Sequence, residues 1–230
     1  MPPTWLTILA WTYLVLCFCC AAVILVDVYV RGHRQRMGVM EAVWPITALY
    51  FGPAAVWGYL RFGRPSSPRW LERKGLREAP AKPGWASVAV GVSHCGAGCT
   101  LGDIIAETSI FWLGITIAGQ ALWAEFIGDY VLAVLLGLLF QYFAIAPMRG
   151  LGLRDGLKAA AKADVLSLTA FEVGLFGWMA LMVFVFFPEP HLHPDTAAYW
   201  FLMQVGMVIG FFTAVPANVW LMRRGIKEAM

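Results

Sequence analysis

The chain has 230 residues, of which 60% are apolar and 13% charged, with a formal net charge of +3 and a mean hydropathy of +0.69. A soluble domain is about 25% charged and about 45–50% apolar, so a soluble enzyme, a nucleic-acid binder and a disordered protein are all excluded. About 20 apolar residues cross a bilayer, which leaves room for about six crossings.

The first predicted span covers residues 5–30. It has no basic leader and no small-residue cleavage site and is longer than a signal-peptide core, so it reads as a retained crossing. Its three cysteines, Cys17, Cys19 and Cys20, serve there as small hydrophobes. The second span is 39–60, which contains Trp44-Pro45 and Gly52-Pro53; a strongly basic, polar loop at 61–84 follows. The third hydrophobic region, 86–118, is too long for one straight crossing at about 1.5 Å per residue. It also contains the least apolar stretch of any span, residues 93–100, and is predicted to be a helix broken by Gly96, Gly98 and Gly102. The fourth span is 127–147, after which 149–162 reads as a short interfacial amphipathic helix. The fifth is 164–187, a loop covers 188–195, and the sixth is 197–222. The expected architecture is all-α, a single polytopic transmembrane helical bundle of about six helices.

All 17 Lys and Arg fall at 31–36, 61–82, 149–162 and 223–227. Counted as cytoplasmic loops, the last three clusters are mutually consistent and place the C-terminal segment inside. The first conflicts if 39–60 crosses fully. It agrees only if that segment re-enters, bent at Pro45 or at Gly52-Pro53. The length of 39–60 favours a full crossing, with Arg31, Arg34 and Arg36 outvoted. The lipid bilayer is the expected partner, and the basic residues are too scattered for nucleic acid.

Chemistry concentrates at 93–107. Cys95, Cys99, Asp103 and Glu107 recur every four residues and share one helix face, with His94 beside them. Thiolate, imidazole and carboxylate are transition-metal ligands, and ionisable groups inside a bilayer are costly. The set His94, Cys95, Cys99, Asp103 and Glu107 is therefore the predicted metal site, Cu(I) first and Zn(II) second. Glu172, eight residues into the fifth span, should face the interior as a proton or cation group. Met203 and Met207, one turn apart in the sixth span, are candidate thioether ligands. His191 and His193 in the last loop are candidates for collecting the ion. The structural alternatives are a capping role for Asp103 after Thr100, a buried polar contact for His94 and simple packing for the methionines.

The runs Val43-Trp44-Pro45-Ile46-Thr47-Ala48-Leu49-Tyr50 and Ser93-His94-Cys95-Gly96-Ala97-Gly98-Cys99-Thr100-Leu101-Gly102-Asp103, with the ending Asn218-Val219-Trp220-Leu221, resemble an uncharacterised bacterial family. It is a polytopic inner-membrane domain of unknown function, sometimes annotated beside copper proteins. The resemblance implies a bacterial inner-membrane location and favours copper; it assigns no activity.

Three functions fit these residues. The first is a transporter or handler of a soft transition-metal ion, working with a metallochaperone or with a second copy of the chain. No Walker loop is present, so ATP hydrolysis by that route is excluded. The second is a membrane thiol–disulfide oxidoreductase using Cys95 and Cys99, and the third is an assembly subunit. Metal analysis of the purified protein separates the first from the rest.

Overall fold

A backbone in lipid must satisfy its own polar groups, so long apolar runs fold as helices. The computed structural model describes residues 2–227, with side chains apart from 145–149, and is all-helical. Helix α1 covers Thr4–Leu25 and widens into a π turn through Val30; α2 is Met40–Phe51, α3 is Pro53–Gly58 and α4 is Pro68–Lys74. The long helices α5 (Gly84–Leu113), α6 (Ala121–Arg149), α7 (Leu153–Leu181) and α8 (Ala197–Arg223) follow. Five helical segments among the described residues, namely α1 and α5–α8, are long and apolar enough to cross a membrane.

The segment 39–60 does not cross. Its polypeptide turns back at Gly52, whose φ of +52° is a conformation that a residue with a Cβ adopts only under strain. Pro53 then opens α3, where its missing N–H costs nothing. Three contacts fix the path. Near the start of α2, Glu41 bonds Arg34 (2.8 Å) just beyond α1. At the tip, the Tyr13 hydroxyl in the middle of α1 donates to the Tyr50 carbonyl (2.9 Å). After α3, Tyr59 donates to Asp27 (2.9 Å), back at the end of α1. The segment is a re-entrant hairpin, which corrects the expected full crossing.

This path removes the charge conflict. Arg36 reaches the Arg77 carbonyl (3.3 Å), and Arg64 pairs with Asp27 (3.3 Å), so the first two basic clusters share one side. Lys227 touches Gly91 and Asp164 in the first halves of α5 and α7, which brings the last two clusters to that same side. All the basic clusters therefore lie at one end of the bundle, as the positive-inside rule requires of a single compartment.

The third span is one unbroken helix of 30 residues, against the predicted break. Its glycines serve close packing instead. A Cβ on Gly98 would stand 2.7 Å from Gly137 Cα, and one on Gly102 would stand 2.6 Å from the Ala133 backbone nitrogen. Without those carbons α5 and α6 lie backbone to backbone, the small-x3-small arrangement of membrane helices, and theirs is the most extensive helix pairing in the molecule. Two other boundaries also differ from expectation. Residues 153–162 are the first turns of α7 rather than a separate interfacial helix, and α6 starts at Ala121 rather than at 127.

Candidate functional site

Cys95, Cys99, Asp103 and Glu107 do form a stripe along α5, and all four are buried. The other bundle helices add to it: Asp129 from α6, Asp164, Ser167 and Glu172 from α7, and Tyr199 and Asn218 from α8, all buried too. Asp129 and Asp164 lie deep because their helices begin well before them. Asp129 is eight residues into α6, and Asp164 is eleven residues into α7.

The groups are ordered along the membrane axis. At the end away from the basic clusters the Tyr199 hydroxyl donates to Glu107 Oε2, and Asp129 lies beside Glu107. Asp103 comes next, facing Asp129 and Glu172, and Glu172 lies against Cys99. One turn further on, the Asn218 amide donates to the Ser167 hydroxyl, which contacts Cys95 Sγ at 2.8 Å. The Cys95 thiol passes its own hydrogen to the Val92 carbonyl (3.2 Å). At the basic end Asp164 bonds Lys227 Nζ (2.8 Å), which also donates to the Gly91 carbonyl (3.2 Å). From Glu107 to Gly91 the file runs along about 24 Å of helix, most of the roughly 30 Å hydrocarbon core.

Its carboxyl groups are short of partners. Both oxygens of Asp103, Asp129 and Glu172 are buried without a hydrogen bond, as is Oε1 of Glu107. A buried carboxylate without a partner costs several kcal/mol, so such a group is neutralised by a proton or by a cation. Three such groups, with Glu107 half-partnered beside them, share one interior.

The predicted ligand set does not converge. Among the described residues no three His, Cys, Asp or Glu side chains form a group that could hold a metal ion. His94 is off the four-residue stripe, with its ring 6.4 Å from that of Phe140 on α6, neither nitrogen hydrogen-bonded, and Asp164 and Lys227 as its charged neighbours. Cys95 and Cys99 are free thiols on an unbroken helix, and pairing them would require the helix to bend. Asp103 caps nothing, because Thr100 sits mid-helix and donates to the Gly96 carbonyl (2.8 Å). Met207 packs in the same buried cluster as Cys95 and Cys99, whereas Met203 packs one turn away with Tyr199 and Leu175. In the far loop, His191 is exposed and bonds the Phe187 carbonyl (3.0 Å), while the His193 ring rests on Phe111.

The family described as Domain of unknown function (DUF4396) matches residues 84–227. The chain belongs to this family. No curated protein and no solved structure matches it. The DUF4396 region starts at the first residue of α5 and ends on Lys227, so it contains the whole file, while α1 and the re-entrant hairpin lie outside it.

Within the DUF4396 region the sequence reading missed Asp129, Asp164, Tyr199 and Lys227. Asp129 and Asp164 fall at or near the starts of the spans expected at 127–147 and 164–187, where an acid reads as a boundary. The apolar start Ala121-Leu122-Trp123-Ala124 and the helical run before Asp164 were the signals that both lie deeper. Lys227 was counted only as a topological charge.

Proposed function

We propose that this DUF4396 protein carries a cation across the membrane along the α5 file, with protons exchanging on its carboxyl groups. The observation that carries this reading is the set of buried carboxyls of Asp103, Asp129 and Glu172, in which no oxygen has a hydrogen-bond partner. Intramembrane acids of this kind belong to proton relays and ion paths. Cys95 and Cys99, with Met207 packed beside them, add soft donors that select Cu(I), with Zn(II) second. Metal binding to thiols releases protons, and the neighbouring Glu172 is placed to receive them. On the positive-inside rule the basic side is the cytoplasmic side, in a bacterial inner membrane, with the segment after α8 inside.

The test is flux into liposomes that contain the purified protein and an internal pH indicator. A potassium diffusion potential drives the flux, with Cu(I) or Zn(II) present or absent outside. The wild-type protein should change the luminal pH faster than empty liposomes do, and Glu172→Gln should reduce the rate to that of empty liposomes. Equal rates for the two proteins would overturn the carrier reading. Bound-metal analysis tests the thiol part: Cys95→Ser and Cys99→Ser should each lose bound copper, and unchanged metal content in both removes the thiols from the site.

A further inference from the structure

Lys227 is the only Lys or Arg side chain that is fully buried among the described residues. The chain carries it there by a built turn. After α8, Gly225 takes φ +66°, its N–H bonds the Met222 carbonyl (3.0 Å), and the N–H groups of Ile226 and Lys227 both bond the Leu221 carbonyl (3.0 and 3.3 Å). This is the left-handed helix stop that reverses a chain, and it turns Lys227 back into the bundle. Gly91 makes the room: a Cβ there would stand 2.7 Å from Met222 Cε and 3.8 Å from Lys227 Cε. The ammonium then meets Asp164 Oδ1 at 2.8 Å and the Gly91 carbonyl at 3.2 Å. The other groups facing this point are His94 and Cys95 from α5, with Ser167 and Asn218 next to Cys95. Asp164 is thus the last acid of the file and the only one with a cation of its own.

We infer that Lys227 is a tethered cation that occupies the basic end of the file, so that ions or protons pass only when it leaves Asp164. The inference rests on the carrier reading above. While the pair is closed, Lys227 occupies Asp164 Oδ1 and leaves it no room for a transported ion. When the ammonium withdraws, Asp164 becomes like Asp103 and Glu172, a buried carboxyl without a partner, and the file runs through to the basic side. Burial by itself would lower the lysine's pKa, but the neighbouring Asp164 raises it above the ordinary value, so the side chain stays charged while it is docked. A transported cation reaching Asp164 therefore competes directly with the ammonium.

The liposome flux assay tests this with Lys227→Met, Lys227→Arg and the double variant Lys227→Met/Asp164→Asn, beside Glu172→Gln. The single Met variant should raise flux several-fold, because Asp164 joins the file. The double variant should return to the wild-type rate, because its pocket is neutral and holds no titratable group. Arg, which keeps the charge, should stay near wild type. If Glu172→Gln lowers flux while Lys227→Met leaves it unchanged, the inference about Lys227 is overturned and the carrier reading stands. If Glu172→Gln also has no effect, the carrier reading itself has failed. Lysine labelling by acetic anhydride, read by mass spectrometry, covers the case in which Lys227→Met does not fold. In the wild-type protein Lys227 should label far more slowly than the exposed Lys74, and Asp164→Asn should speed it up. Equal labelling of Lys227 and Lys74 in the wild type would overturn the inference.

Discussion

Asp27 and Glu172 are both carboxyl groups buried in the same bundle, but their surroundings differ in kind. Asp27, at the end of α1, accepts from the Tyr59 hydroxyl (2.9 Å) and pairs with Arg64 (3.3 Å) and Arg31 (3.6 Å). Nearby, Glu41 accepts from Arg34 Nε (2.8 Å) and from the Gln35 backbone (3.0 Å). Each of these acids ties the re-entrant hairpin to α1 or to the loop beside it. Glu172, Asp103 and Asp129 have no such ties. Asp27 is held at Oδ2 by fixed donors and at Oδ1 only by the longer Arg31 contact, which makes it part of the scaffold, whereas the file acids have neither oxygen hydrogen-bonded. The bundle therefore holds its acids in two settings, bonded ones under the hairpin and unbonded ones in the file between α5, α6 and α7.

The sharpest way to break this comparison is to neutralise one acid of each kind and measure stability. Asp27→Ala strands a buried tyrosine hydroxyl and removes the partner of Arg64, and should cost about 3 kcal/mol, the penalty for breaking a buried pair. Glu172→Gln removes no ion pair, keeps a polar group beside the Cys99 thiol and relieves an uncompensated site, so its stability should match or exceed wild type. Thermal unfolding in detergent measures both. A larger loss for Glu172→Gln than for Asp27→Ala would mean that the α5 acids are scaffold after all, and the proposed file would lose its basis.

A second test concerns what seals the file on its α6 side. Gly102→Ala places a methyl group 2.6 Å from the Ala133 backbone nitrogen, where no flexible side chain can give way. The two helices must separate, at a cost of about 2 kcal/mol by the usual penalty for overpacking. Gly38→Ala, where nothing lies within 4 Å, serves as the control and should be near neutral. Unfolding midpoints for the two variants check the prediction, and equal midpoints would show that α5 and α6 do not meet as closely as described.

The stripe of four on α5 was legible because a spacing of four residues is a statement about one helix face, independent of everything else in the bundle. Glu172 was legible because a lone acid amid apolar residues must turn inward. His94 was not, since adjacent residues on a helix point about 100° apart and its sequence neighbourhood with Cys95 says nothing of a shared site. The hairpin at 40–63 was misread because hydropathy reports composition rather than path, and two short apolar arms add up to one span. Gly52-Pro53 and the three arginines at 31–36 together carried the right answer, the first as a turn and the second as a charge vote. The partners of the file stayed hidden because they come from α6, α7 and α8, and only packing brings four helices to one line.

The smallest expected effect sharpens the scaffold side of the comparison. His33 lies just beyond α1, buried, with Arg64 donating to its Nε2 (3.1 Å) and Ser67 at its Nδ1 (3.2 Å). Burial first, and then the Arg64 charge, hold its pKa below the ordinary value, so the folded protein keeps the ring neutral. An unfolded histidine titrates near about 6.5, so between that pH and the lower folded value the unfolded chain binds the extra proton. Stability from His33 is therefore complete above pH about 6.5 and is lost as pH falls toward the folded pKa. The unfolding midpoint should drop between pH 7 and pH 5, and His33→Asn should flatten part of that slope at a cost of about 1 kcal/mol at pH 7 for its lost hydrogen bonds. A His33→Asn protein with the wild-type slope would show that the basic-side network does not depend on a neutral ring.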